Sequence, residues 1–375
     1  MSSFSIAVLT RDGIGPEVID AVIPLAEQAA TLDKTRFEWT YYPWNSEYYR
    51  DNGRMAPEDF VDQLRQHNSI LLGAIGHPDI PDHVTLNGLL LPIRRQCDQC
   101  ICIRPSYLYE GITSPLRDKN GGDIDILVFR ENTEGEYAQI GGRLYNATDH
   151  DVAIQTSLYT RRGCTRIIQA AFEAARKRKQ KVSSITKSNA QGFGMVLWDD
   201  VFKNVSKSYP DVETESVLID RACMDFVRRP EMFDVVVASN LFGDILTDLG
   251  AILVGSLGLA PSANITLDPD LPSMFEPVHG SAPDITGQNI ANPLATVLSV
   301  AMMMDHLGLK TGAQALDASV KELLRTNGPR TPDIGGTSKT QEVAAALSDL
   351  GLSLIHISAP TSRYAISYAV FSLKK

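Results

Sequence analysis

From Phe4 to Ala74 the sequence alternates short apolar runs with one-sided helical patterns, and that alternation admits few folds. Phe4–Thr10 is apolar and strand-length, and Asp12-Gly13-Ile14-Gly15-Pro16 breaks it. Pro16 suits the first turn of a helix, and Val18, Ile19, Val22 and Ile23 give that helix one apolar face. Phe37–Tyr42 alternates like a strand, Pro57-Glu58-Asp59 opens another helix, and Ile70–Ala74 is a buried-strand run. A β-α-β-α-β order predicts a mostly parallel sheet covered by helices, the α/β class.

The middle of the chain reads differently. Asp125–Arg130 is a strand, and Gly135–Gln155 is rich in Gly, Tyr and short alternations, as a hairpin or arm would be. Gly141-Gly142 is the expected turn of that hairpin. Helix and strand patterns alternate again from Thr160 to Ser239, and apolar helical patterns follow at Leu241–Val254, Ile290–Leu307 and Ala313–Leu324. The basic run Arg176–Lys181 is expected as a solvated helix end. No low-complexity linker divides the 375 residues, so two domains, if present, are interleaved. The tail from 351 to 375 departs from this pattern. Its Leu352–Ser358 stretch is similar to a peptide that recurs where sequencing-adapter DNA has been translated, so the tail is expected to be non-native.

Charge narrows the function classes. With 35 basic and 45 acidic side chains the net charge is −10, which disfavours non-specific nucleic-acid binding. No apolar run approaches the ~20 residues of a membrane span. The start carries neither a basic n-region nor an apolar h-region, and five cysteines make a poor disulfide framework, so a reducing, cytoplasmic setting is expected. A small anionic substrate would need locally gathered arginines.

Such a set exists. Arg94, Arg95 and Arg104 lie close together in sequence and Arg130 ends a strand; guanidinium forks match carboxylates, although spacing alone allows ordinary ion pairs equally. Asp244 and Asp248 are i, i+4 on a helical pattern and share a face, as a pair of hard-cation ligands or as the polar side of an amphipathic helix. Cys97-x-x-Cys100-x-Cys102 has no second cluster to complete a zinc site and reads as buried small side chains. Asp12-Gly13-Ile14-Gly15 lacks the third glycine of a dinucleotide fingerprint, since Val18 stands there, and alone supports only a tight turn. His279-Gly280-Ser281-Ala282-Pro283-Asp284 is a loop that could cradle an adenosine, a weak signal by itself.

In order along the chain these motifs resemble the β-decarboxylating hydroxyacid dehydrogenases, the family of isocitrate and 3-isopropylmalate dehydrogenases. The resemblance spans about Ser5 to Leu347. It rests on Asp12–Glu17, Arg94 with Arg104, Arg130-Glu131-Asn132-Thr133-Glu134-Gly135-Glu136-Tyr137, Thr186-Lys187-Ser188-Asn189, Asn240–Asp248 and Glu276–Asp284. Tyr41-Tyr42-Pro43-Trp44, Leu89–Arg95 and Ser273–Glu276 make the chain most similar to the tartrate and D-malate dehydrogenase (decarboxylating) branch. Leu89, Leu90 and Leu91 keep 3-isopropylmalate open as an alternative substrate, and a non-catalytic regulatory subunit is a further alternative.

The resemblance implies an isopropylmalate-dehydrogenase-like fold of two interleaved domains, not a Rossmann fold. Residues 1–101 and 254–350 would form the large, cofactor-binding domain, and 102–253 the small domain with a dimerising β-arm near 135–155. It implies a homodimer with shared active sites. Arg94, Arg104 and Arg130 would bind the carboxylates of a hydroxy dicarboxylate. Asp244 and Asp248 of one subunit, with Asp220 of the other, would bind Mg²⁺ or Mn²⁺. Lys187, also from the neighbouring subunit, would take or relay the hydroxyl proton, and Tyr137 would return one to carbon. NAD would lie on His279, Gly280, Ser281, Ala282, Asp284 and Asn292, with Asp284 at the ribose favouring NAD over NADP. K⁺ joins the ions that the resemblance implies.

Overall fold

The computed structural model describes residues 2–354. Among the described residues twelve strands form two sheets: β1 (Ser2–Arg11), β2 (Thr35–Tyr41), β3 (Ser69–Ala74), β4 (Ile101–Tyr107), β5 (Asp125–Glu131), β6 (Gly135–Leu144), β7 (Val152–Leu158), β8 (Lys181–Thr186), β9 (Glu213–Leu218), β10 (Val235–Ala238), β11 (Pro261–Ile265) and β12 (Ser273–Pro277). Ten of them build one sheet in the order β2-β1-β3-β12-β11-β4-β5-β10-β8-β9, and β6 and β7 pair by themselves. The fold is thus α/β, as the opening alternation predicts.

The sheet is parallel at both flanks and antiparallel in its centre, where β11 pairs with β12 and β4, and β4 pairs with β5. The β2-β1-β3-β12-β11 half comes from the two ends of the chain; β5, β10, β8 and β9 come from the middle. Val, Ile and Leu fill the central strands because both faces are covered. All six residues of β3 and all four of β10 are buried. The helix Leu294–His306 is apolar nearly all round, and eleven of its residues from Leu294 to Met304 are buried.

The first loop is not a phosphate cradle. Gly13 has φ +56°, and a Cβ there would sit 1.9 Å from the Ser281 carbonyl oxygen. The Ile14 N–H donates to that carbonyl at 2.9 Å and the Gly15 N–H to Asp12 at 2.9 Å, while Pro16 has no N–H. The N–H groups of Ile14 and Gly15 at the start of the helix Gly15–Leu32 are therefore spent inside the protein. Asp12 is buried and accepts from Ser46 N and Oγ and from Gly76 N, tying three loops together.

Two sequence readings need correction. Gly141-Gly142 is not the hairpin turn: both glycines lie in β6, and the chain reverses between Leu144 and Val152. A Cβ on Gly141 would meet the Ile154 carbonyl oxygen at 2.0 Å, so its role is close strand approach. The run Arg176–Lys181 is not all solvated. The Arg178 side chain is only 8% exposed and binds Asp125 and Asp234 at 2.8 and 2.7 Å, which fastens the end of the helix Arg161–Ala175 to the sheet. The cysteines behave as read: Cys97, Cys100 and Cys102 are buried free thiols. Burial pushes Cys97 up to about 11 and Cys100 to about 12, so neither forms a thiolate readily. The last helix, Thr340–Leu354, extends into the segment 351–375, and the rest of that segment lies outside the described residues.

Candidate active site

Three arginines converge where the two halves of the sheet meet. Arg94 ends the short helix Leu91–Gln96, Arg104 lies on β4 and Arg130 on β5. Cys102 pairs with Arg130 across the antiparallel ladder, so Arg104, two residues along, shares its face. All three are buried, at 4%, 7% and 1% exposure. Buried guanidinium groups need partners, and each has one.

Arg94 donates to Glu276 on β12 at 2.7 Å, with both side chains almost fully enclosed. Glu276 is held in turn by Asn264 Nδ2 at 2.9 Å, and Asn264 Oδ1 accepts from Asn132 at 3.0 Å. Arg104 and Arg130 share one partner. Arg130 Nη1 makes a short ion pair to Asp244 Oδ1, and Arg104 Nη1 donates to the same oxygen at 3.1 Å. Asn240 Oδ1 accepts from Arg130 Nε and Nη2, and Thr247 Oγ1 accepts from Arg104 at 2.9 Å. Gly243 makes this approach possible, since a Cβ there would lie 2.7 Å from Arg130 Cβ.

Asp244 and Asp248 rise from the helix Asn240–Leu253 on one face, as their spacing predicts; Asp248 Oδ1 is 3.9 Å from Arg104. Burial works to raise the Asp244 carboxyl, but Arg130 and Arg104 outweigh it, and the group sits below its ordinary range. Asp248 is raised, because burial there exceeds the help from Arg104. Tyr137, near the start of β6, donates to Asp244 Oδ2 at 2.7 Å. Burial, then the Asp244 charge, pushes its phenol up to about 12, so it keeps its proton at neutral pH.

Lys187 and Asp220 lie apart from this group. Lys187 Nζ pairs with Asp220 Oδ1 at 2.8 Å, and the two side chains are 28% and 60% exposed. The Lys187 hydrogen bond is the first cause of a lowered Asp220 carboxyl. Among the described residues no hydrogen bond or ion pair links this pair to Asp244 or Asp248, and none assembles three metal-ligating side chains in one chain. One chain thus carries two separate portions of the predicted metal and proton-transfer set.

The loop 279–284, expected to hold the cofactor, packs on the first loop through Ser281. Burial lowers His279, and its Nε2 is enclosed with no partner among the described residues, an atom that a bound nucleotide could satisfy. Open space adjoins Gly280, where a Cβ would meet nothing within 4 Å. Ala282 has φ +41° and Asp284 is exposed. Asn292 is buried; it donates to Asp333 at 3.0 Å and accepts from Leu294 N at 3.0 Å.

Sequence reasoning did not single out Glu276, Asn240 or Thr247 as partners of the arginines. Glu276 had a signal: a charge inside the apolar strand Ser273–Pro277 requires a buried counter-charge.

Comparison with known proteins gives the class. The isocitrate/isopropylmalate dehydrogenase family matches residues 5–347, and the chain belongs to that family. The crystal structure of isocitrate dehydrogenase from Methylococcus capsulatus superposes with a TM-score of 0.84 at 31% identity, covering 93% of this chain and 99% of that one. More similar in sequence are the probable tartrate dehydrogenase/decarboxylase of Bacillus subtilis (strain 168) and the D-malate dehydrogenase [decarboxylating] of Escherichia coli (strain K12). The first is 47% identical over 346 residues, 92% of this chain and 96% of the relative. The second is 45% identical over 355 residues, 92% and 98%. No helix among the described residues is long and apolar enough to cross a membrane.

Proposed function

We propose that the chain is an NAD- and divalent-cation-dependent dehydrogenase of tartrate- or D-malate-type 2-hydroxy dicarboxylates, with or without decarboxylation. The observation that carries this reading is the convergence of three buried arginines beneath Asp244 and Asp248. The two relatives named above support the substrate class. Leu89 and Leu90 pack into an apolar cluster with Trp44, Met55 and Ile93, while Leu91 is only partly buried and lies outside that cluster; the relatives named above do not favour 3-isopropylmalate. A regulatory subunit has no feature in its favour, since the carboxylates, Lys187 and Tyr137 are all present.

In this reading Arg94, Arg104 and Arg130 hold the substrate carboxylates by paired charge-assisted hydrogen bonds. Asp244 and Asp248 supply hard oxygen ligands for Mg²⁺ or Mn²⁺, and Asp220 completes the set from a second copy. Lys187 Nζ, next to that Asp220, takes the proton from the 2-hydroxyl. Tyr137 Oη, which keeps its proton, donates to carbon after CO₂ leaves. His279, Gly280, Ser281, Ala282 and Asn292 hold the adenosine of NAD, and Asp284 accepts from its ribose. When bound, NAD accepts the hydride and the cation polarises the hydroxyl oxygen.

A second copy also explains the exposed apolar surface. Every residue of β7 is exposed, and Ile140, Leu144, Ile154 and Leu158 of the hairpin face solvent. Met224 and Val227, on the helix that begins at Ile219 beside Asp220, and Ile245 and Ile252, on the helix of Asp244, are about half exposed. A homodimer that covers these residues brings one copy's Lys187 and Asp220 to the other's Asp244. Residues 102–253 would then be the small domain and the two chain ends the large one.

The test is NADH formation with Mn²⁺ and K⁺ against L-tartrate, meso-tartrate, D-malate, 3-isopropylmalate and isocitrate, with NADP⁺ in parallel. The expected result is turnover of D-malate or a tartrate with NAD⁺. Preference for 3-isopropylmalate or NADP⁺ would overturn the substrate or the Asp284 assignment, respectively.

A further inference from the structure

Tyr137 stands where the hairpin ladder is broken. Gly135 of β6 pairs with Leu158 of β7, and the next pair is Ile140 with Thr156, so Glu136, Tyr137, Ala138 and Gln139 stand opposite Ser157 alone. An interruption of this kind re-aims side chains, and it also removes the regular ladder that would hold them. Gln155 Nε2 donates to the Ala138 carbonyl at 2.6 Å, a bond within the hairpin. It does not reach the helix Asn240–Leu253, on which Tyr137 finds its acceptor Asp244.

Glu136 makes that link. Its Oε1 accepts from Ser239 Oγ at 2.8 Å and from Tyr159 Oη at 2.8 Å, and its Oε2 accepts from the Leu241 N–H at 3.1 Å. Ser239 is the N-cap residue of the helix Asn240–Leu253, but its side chain accepts from none of the helix N–H groups; the carboxylate from β6 does so instead. A helix start favours a carboxylate, because its first N–H groups lack partners and its dipole is positive there. Tyr159 follows β7 directly, so one carboxylate ties both ends of the hairpin to the helix of Asp244. Asn240 Nδ2 adds a bond to the Glu134 carbonyl at 3.0 Å.

Glu134 provides the contrast. Its carboxylate accepts from Thr160 N at 2.8 Å and Thr160 Oγ1 at 2.6 Å, at the start of the helix Arg161–Ala175. Two acids, two residues apart, thus serve two helices, and only the helix served by Glu136 carries Asp244. Among the described residues none of the hydrogen bonds of Arg94, Arg104 or Arg130 goes to Glu136.

We propose that Glu136 is a positioning residue: by capping the helix Asn240–Leu253 from within the interrupted ladder, it sets the Tyr137 hydroxyl on Asp244 and so places the group that returns a proton to carbon. The inference rests on the role given to Tyr137 above. Because the arginines have other partners, loss of Glu136 misplaces the phenol and leaves the hold on the substrate carboxylates.

The test joins a geometric readout to a kinetic one. In the full chain labelled with ¹³Cζ-tyrosine, the Tyr137 resonance is assigned by its loss in Tyr137→Phe, and Asp244→Asn marks where it moves when its acceptor loses its charge. Glu136→Ala is expected to shift that resonance toward the Asp244→Asn position, and Glu134→Gln to leave it in place. Tyr159→Phe removes one donor to Glu136 and keeps the helix cap; it is expected to shift the resonance less, in the same direction, and serves if Glu136→Ala does not fold. In NADH formation from D-malate with Mn²⁺, Glu136→Ala is expected to lower kcat by at least about tenfold while KM changes by less than about threefold. Glu136→Gln keeps an oxygen acceptor and is expected to bring kcat back to within about threefold of the unaltered protein. A Tyr137 resonance that ignores Glu136→Ala and Tyr159→Phe overturns the proposal. So does an unchanged kcat in Glu136→Ala, or a loss of kcat shared equally by Glu134→Gln. Failure of the functional reading shows separately, as no NADH formation by the unaltered protein while the resonance still answers to Glu136→Ala; that result keeps the placement and overturns the proton-return role.

Discussion

The arginine group and the Lys187–Asp220 pair both match the sequence motifs, but the chain treats them in opposite ways. Arg94, Arg104 and Arg130 are buried where the two halves of the sheet meet, and each has a carboxylate partner within the same chain. Lys187 and Asp220 meet each other near the surface and touch none of that group. The first region is finished inside one chain and is coupled to its folding. The second lies at the surface, and in the proposed homodimer it would serve a neighbouring copy and tie the chemistry to assembly.

The sharpest contrast comes from removing one member of each. Arg130→Ala leaves Asp244 without its closest counter-charge and empties space beneath the Asn240–Leu253 helix. Arg104 and Tyr137 still hold that carboxylate, so a loss of about 1–3 kcal/mol in denaturant unfolding is expected, together with loss of turnover. Lys187→Met breaks an exposed pair, so stability should change by less than about 1 kcal/mol while turnover falls by about 10²–10⁴-fold. Equal stability losses in the two variants would erase the distinction.

A change in the hairpin separates assembly from folding. Ile154→Asp places a charge on an apolar side chain that is 60% exposed in the single chain. Sedimentation should show a shift toward monomer with little change in circular dichroism, and turnover should fall with the dimer fraction. A monomeric protein that keeps full turnover would break the link between assembly and chemistry.

The most gradual effect concerns pH. Glu131 ends β5, accepts from Thr133 and Glu134 N–H groups, and is pushed by burial up to about 7. Its folded value lies above the unfolded one near 4.5, so the folded state holds the extra proton between those values. Its contribution to stability is complete below about 4.5 and is lost as pH rises toward 7, by up to about 1.4 kcal/mol per pH unit. Glu131→Gln should flatten that part of the melting-temperature profile. An unchanged slope would place the titration elsewhere.

Much of this was legible in the sequence where a pattern repeats or a residue type is scarce. Alternating apolar runs located β1, β2, β3 and the helix Gly15–Leu32, and i, i+4 spacing put Asp244 and Asp248 on one helix face. Partnership across the sheet was not legible. Arg94 and Glu276 are 182 residues apart, and only the strand order brings β12 near the helix of Arg94. Arg178 was hidden in a basic run that looked solvated, because its counter-charges Asp125 and Asp234 are themselves far away in sequence. Gly141-Gly142 misled because glycine marks close strand approach as readily as a turn.

The central claim is that one active site is built from two copies, and mixing two inactive variants tests it directly. Lys187→Met and Asp244→Asn proteins, unfolded together and refolded at equal concentration, should form mixed dimers with one intact site each. Random pairing makes half of the dimers mixed, so NADH formation should recover to about a quarter of the unaltered rate. No recovery, with mixed dimers shown to be present by differential tagging, would mean that Lys187 and Asp244 serve the same chain and would contradict the account.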